Sequence, residues 1–96
     1  MSYNLNTEIK NFIISLAEKY KVQKVILYGS RARGTNRPRS DIDIAVLGGD
    51  FLNFALDVEE YAPTLLFFDV VNLAEISNEN FLNEIDKDGV TIYEEV

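Results

Sequence analysis

Three aspartates and one glycine-serine pair are the residues whose types and spacing can do chemistry in this chain. Asp41 and Asp43 stand two positions apart in SDIDIAVL, and Asp69 lies within FFDVVNL. Ahead of the pair runs GSRARGTNRPR, where Gly29 and Ser30 are followed by Arg31, Arg33, Arg37 and Arg39, four of the nine basic residues. Side chains alternate along a strand, so Asp41 and Asp43 project from one face about 7 Å apart, and Ile42 and Ile44 from the other. Two carboxylates so placed repel each other, and at least one pKa rises, unless a cation lies between them. An oxygen-only pair of this kind suits Mg²⁺ or Mn²⁺. An ionised Asp69 inside an apolar strand needs a partner, either a cation shared with the pair or a hydroxyl that gives up its proton. Gly29 and Ser30 follow a strand and open a helical turn, where backbone N–H groups and the serine hydroxyl can face an anion. The arginines then form a positive rim around a triphosphate-sized site.

Taken singly, each feature has a plainer reading. The aspartate pair can be the polar face of a half-exposed strand, and Asp69 can meet water at a sheet edge or pair with Arg31. Glycine-serine turns are common, and loop arginines are often only solvated. It is the combination of a phosphate-cradling turn, a ten-residue spacer, a DxD strand and a later aspartate that forms one device.

The rest of the chain must position these groups. After Asn6 and Thr7, either of which can cap a helix, Ile9, Phe12, Ile13, Leu16, Ala17 and Tyr20 recur with helical spacing, predicting a helix that ends near Tyr20. Val22–Tyr28 and Asp41–Leu47 read as strands, separated by a helical turn capped by Ser30 and a loop carrying Gly34, Asn36 and Pro38. Phe51–Tyr61 fits a helix ended by Pro63, and Leu65–Leu73 is an apolar run expected to be a central strand. Ser77 is expected to cap a last helix with the face Phe81, Leu82 and Ile85. Gly89 is placed to leave that helix in the left-handed conformation, and Val90–Tyr93 closes as a strand. The alternation predicts an α/β (α+β) domain, a small mixed β-sheet flanked by helices, over residues 1–96. The stretch FALDVEEYAPTLLFF is the candidate for apolar surface that a partner covers, in competition with the core.

Composition narrows the function. With 47% hydrophobic residues and eleven aromatics, five Tyr and six Phe, the chain can build one core. Neither a leader nor a membrane-length apolar run is visible, so the expected address is cytoplasmic, with no membrane partner. Zero cysteines and zero histidines exclude disulfides, thiolate or imidazole zinc sites and every Ser-His or Cys-His device. Residues 1–49 carry eight Lys/Arg against four Asp/Glu, and residues 50–96 carry Lys87 alone against twelve. With a net charge of −7, non-specific nucleic-acid binding is not expected, and an anion must be caught locally.

Gly29, Ser30, Asp41, Asp43 and Asp69 match the pattern GS-x10-DxD with a downstream Asp, and so the chain resembles the nucleotidyltransferase superfamily that includes DNA polymerase β. The wider string LYGSRARGTNRPRSDIDIAVL resembles its minimal nucleotidyltransferases, the MNT domains of HEPN/MNT toxin–antitoxin modules. The resemblance implies a polymerase β-like fold and two Mg²⁺ ions, or Mn²⁺, held by Asp41, Asp43 and Asp69. Gly29 and Ser30 would bind the β and γ phosphates of ATP, and Asp69 would take the acceptor's proton. The arginines are not carried over from the family, and only their charge predicts that one or more, with Arg31 as the candidate, neutralise the phosphates. The resemblance further implies AMP transfer to a tyrosine of a HEPN-type ribonuclease toxin, silencing that partner. Larger relatives add a helical domain, and without one the acceptor stays unspecified. Two other readings are a binding antitoxin that acts by occlusion, and transfer to a small molecule or RNA.

Overall fold

The computed structural model describes residues 3–96. Helix α1 spans Thr7–Lys19. The side chain of Asn6 accepts from the Glu8 N–H at 2.7 Å, and Ile9, Ile13, Leu16 and Ala17 form the buried stripe. Strand β1 (Lys24–Tyr28) runs into the short helix α2 (Gly29–Arg33), and β2 covers Ile42–Leu47. Helix α3 (Phe51–Tyr61) is capped by Asp50 and buries Phe54 and Val58. Strand β3 (Phe68–Asn72), a single 3-10 turn, helix α4 (Glu79–Asp88) and strand β4 (Val90–Glu94) complete the order. The mixed α/β architecture is the one expected.

The four strands form one sheet in the order β3-β2-β1-β4. Strand β1 is antiparallel to both β2 and β4, whereas β2 and β3 run parallel, joined across one face by α3. One face carries Val25, Leu27, Ile42, Ile44, Val46 and Ile92 and is covered by α1 and α3. Each such side chain, when fully buried, contributes roughly 1.5–3 kcal/mol. The opposite face carries Ile26, Tyr28, Ala45 and Val71 and receives Ile85 and Phe81 of α4. By strand alternation Asp43 and Asp69 belong to this second face.

Three local expectations are corrected. Strand β3 is an edge strand of five residues, because the chain before it is held in turns. Thr64 N–H donates to the Ala62 carbonyl at 2.8 Å, and Leu66 N–H to Thr64 Oγ1 at 3.1 Å. Asn78, not Ser77, caps α4, its side chain accepting from Phe81 N–H at 3.1 Å. Gly89 has φ −66°, so the helix is not left in the left-handed region. Its lack of a side chain answers a close approach instead, since a Cβ there would strike the Ile85 carbonyl and the Ile26 side chain.

Candidate active site

The site is assembled where β1 ends and β2 and β3 begin. Tyr28, the last residue of β1, pairs with Asp43 of β2, and on the other side Asp43 pairs with Asp69 in parallel register. Neighbouring strands lie about 4.8 Å apart, so Asp43 and Asp69 are adjacent on one face. Asp41 precedes β2 by one residue and by alternation belongs to the same face. Both Asp41 and Asp69 are exposed, and Asp43 is half-buried. Asp69 therefore pays no burial penalty, because the edge position of β3 leaves it in water.

Gly29 closes the turn from β1 into α2 at φ +74°, a conformation that disfavours any side chain. A Cβ built on it would collide with Asp43 Oδ2, so the glycine backbone and this carboxylate are in direct apposition. The backbone N–H groups in the first turn of a helix have no intrahelical acceptor, which leaves this corner rich in donors. Ser30 is half-buried beside it and supplies a hydroxyl. The expected Ser30 cap is not formed. Tyr28 holds the N-cap position without a side-chain hydrogen bond, and the Ser30 carbonyl accepts from Gly34 N–H instead.

Arg31 departs from its expected role at the phosphates. Its side chain turns inward, 6% exposed, and donates from Nε and Nη2 to the Ser40 carbonyl at 3.1 and 3.0 Å. It also donates to the carbonyls of Pro38 at 3.2 Å and Asn4 at 3.5 Å. Most of its donors are thus spent on bracing the 34–40 loop that delivers Asp41, and it acts on the site through its charge. Arg33 pairs with Asp88 of α4 at 3.5 Å. Arg37 and Arg39 are exposed.

Burial raises the Asp43 carboxyl above its ordinary pKa, and the neighbouring Asp69 and Asp41 raise it further. Arg31 and Arg33 oppose the shift. Tyr28 was not singled out by motif, yet its phenol is a wall of the site. Burial raises its pKa, as do Asp69, Asp43 and Glu84, so the phenol stays protonated, and its ring meets Phe81 edge-on at 5.6 Å. The available signal was its parity on β1, which places it on the aspartates' face.

Among the described residues no three acidic groups converge into a ready-made cation cage. Uncompensated like charges on one face do stand apart. The donor set is nevertheless one that a hard dication fits: oxygen only, anionic, and under repulsion that a cation relieves.

The family model "Polymerase beta, Nucleotidyltransferase" matches residues 11–96. This chain belongs to that nucleotidyltransferase family. A Methanocaldococcus jannaschii protein, named as a candidate protein adenylyltransferase, is 35% identical over 83 residues, covering 84% of this chain and 81% of its own. Among solved structures, a toxin–antitoxin complex with AMP-PNP superimposes with a TM-score of 0.73 at 26% identity, over 90% of this chain and 73% of that one. A complex of the tri-AMPylated Shewanella oneidensis HEPN toxin with its MNT antitoxin shares the fold, with a TM-score of 0.65 at 23% identity. It covers 90% of this chain and 70% of that one. No helix among the described residues is long and apolar enough to cross a membrane.

Proposed function

We propose that the chain transfers AMP from ATP to a tyrosine hydroxyl of a HEPN-type partner protein and so acts as that partner's antitoxin in the cytoplasm, as one domain. The observation that carries this reading is the register that sets Asp69 beside Asp43, with Asp43 in turn against Gly29. The 26% identical toxin–antitoxin structure with AMP-PNP supports the nucleotide and the antitoxin setting. The partner class and the tyrosine acceptor come from the resemblance of residues 27–47.

In this reading Gly29 and Ser30 hold the β and γ phosphates through backbone N–H groups and the serine hydroxyl. Asp41, Asp43 and Asp69 would hold two Mg²⁺ ions, which when bound neutralise the triphosphate and favour the ionised acceptor oxygen. The acceptor oxygen forms a bond to the α phosphorus as the bond from that phosphorus to the bridging oxygen breaks. Pyrophosphate leaves with the bonding electrons, and the hydroxyl proton passes to Asp69. Tyr28 shields one side of Asp43 from water, and Arg31 keeps the loop before Asp41 in place.

The test is label transfer from ATP labelled at the α phosphate, with Mg²⁺ and a HEPN-type partner, comparing wild type with the double variant Asp41→Ala plus Asp43→Ala. Labelling of the partner that vanishes in the variant is expected. Partner neutralisation that persists in the variant with no label transferred by either protein would instead favour occlusion.

A further inference from the structure

The segment before α1 is fastened to the short helix that carries Gly29 and Ser30. Within residues 3–6, Tyr3 and Leu5 are half-buried and pack against the main core, while Asn4 between them is exposed. Both ends of the segment are pinned. Lys10 Nζ donates to the Tyr3 hydroxyl at 2.9 Å and lies 5.6 Å from the centre of its ring, and Asn6 closes the segment as the cap of α1.

The middle of the segment reaches α2. That helix has only five residues, so its later carbonyls find no partner within it. The Ser30 carbonyl accepts from Gly34 and Thr35 N–H, and the Arg31 carbonyl accepts from Asn4 N–H at 2.8 Å. The Arg31 side chain returns the contact by donating to the Asn4 carbonyl at 3.5 Å, across 27 positions in the chain. From the same guanidinium, bonds run on to the Pro38 and Ser40 carbonyls ahead of Asp41. Arg31 follows Ser30 directly. Anchoring its carbonyl therefore fixes the direction of a helix this short, and with it the N–H groups of the first turn, at Gly29 and Ser30.

We infer that residues 3–6 form a strap that sets the phosphate cradle, and that Asn4 is a positioning residue for ATP. It acts through its backbone N–H on Arg31 and touches neither nucleotide nor metal. The inference rests on the nucleotidyl-transfer reading above and adds a segment that lies outside the motif of residues 27–47. Docking of the strap and binding of the triphosphate are then linked, each favouring the other by the same factor.

The experiment measures, by calorimetry well below the melting temperature, the binding of an ATP analogue with a methylene bridge between the α and β phosphates, in the presence of Mg²⁺. Wild type is compared with Asn4→Pro, which removes the N–H, and with Asn4→Ala, which keeps it. Expected is a loss of affinity of at least about fivefold in Asn4→Pro, with Asn4→Ala binding as wild type does. The reciprocal measurement needs no variant and decides alone should Asn4→Pro fail to fold. In wild type, hydrogen exchange at the Asn4 amide should slow by a like factor when the analogue and Mg²⁺ saturate the site. Wild-type affinity in Asn4→Pro, an equal loss in Asn4→Ala, or Asn4 exchange that the analogue leaves unchanged overturns the inference while leaving nucleotidyl transfer intact. Wild type that binds neither the analogue nor ATP overturns both.

Discussion

The Oδ2 atom of Asp43 lies so close to Gly29 that a Cβ on the glycine would collide with it. The glycine turn and the carboxylate are therefore packed directly against each other. Gly29→Ala should cost roughly 1–2 kcal/mol for holding a side chain at positive φ, before the collision is counted. Displacing Asp43 by even about 1 Å is expected to lower AMP transfer on the order of 100-fold. A thermal melt and an initial-rate assay on the same preparation check both effects.

Asp43 also makes stability depend on pH. Its folded pKa is raised above 3.8, chiefly by burial and then by Asp69 and Asp41, so between these values the folded state binds more protons than the unfolded chain. Stability falls as pH rises through that window, and the cost is fully present at neutral pH. Asp43→Asn should melt above wild type at pH 7 in EDTA, with the gap closing on acidification. Melting curves over a pH series decide this.

Adding Mg²⁺ should reverse that order. A cation that binds the folded site and not the unfolded chain stabilises by mass action, so wild type gains melting temperature in millimolar Mg²⁺ and Asp43→Asn gains much less. Equal gains in the two proteins would place the cation elsewhere.

Asp69→Asn separates chemistry from folding. Because Asp69 is exposed on an edge strand, stability should change by no more than about 0.5 kcal/mol. Loss of the proton acceptor should reduce transfer by roughly 10²–10⁴-fold. Urea unfolding alongside single-turnover kinetics tests the separation.

Arg31→Lys should be the opposite case, with the fold suffering first. A lysine cannot reproduce the fork that serves the Ser40 and Pro38 carbonyls, and the loss of these part-buried charge-assisted hydrogen bonds costs roughly 1–3 kcal/mol. Chemical denaturation should show the loss, and added ATP should not restore the wild-type midpoint.

Features governed by nearest neighbours were legible in the sequence. The two-residue period of a strand is enough to separate Asp41 and Asp43 from Ile42 and Ile44, and helical spacing is enough to find Ile9, Ile13, Leu16 and Ala17. The glycine-serine turn and its spacer to the aspartates are likewise local. Partner choice was not local. The apolar run around Asp69 reads as a central strand, yet β3 pairs on one side only, so Asp69 reaches water while lying level with Asp43. The inward turn of Arg31 depends on carbonyls that converge only once the 34–40 loop has folded. Within FALDVEEYAPTLLFF, hydrophobicity does not separate Phe54 and Val58, which fill the core, from Leu65 and Phe67, which stand in solvent. The sequence by itself determined which groups could do chemistry, because residue type and strand period are properties of short segments. Only the tertiary structure decided which of them meet, because register, edge position and burial arise from contacts between segments distant in the chain.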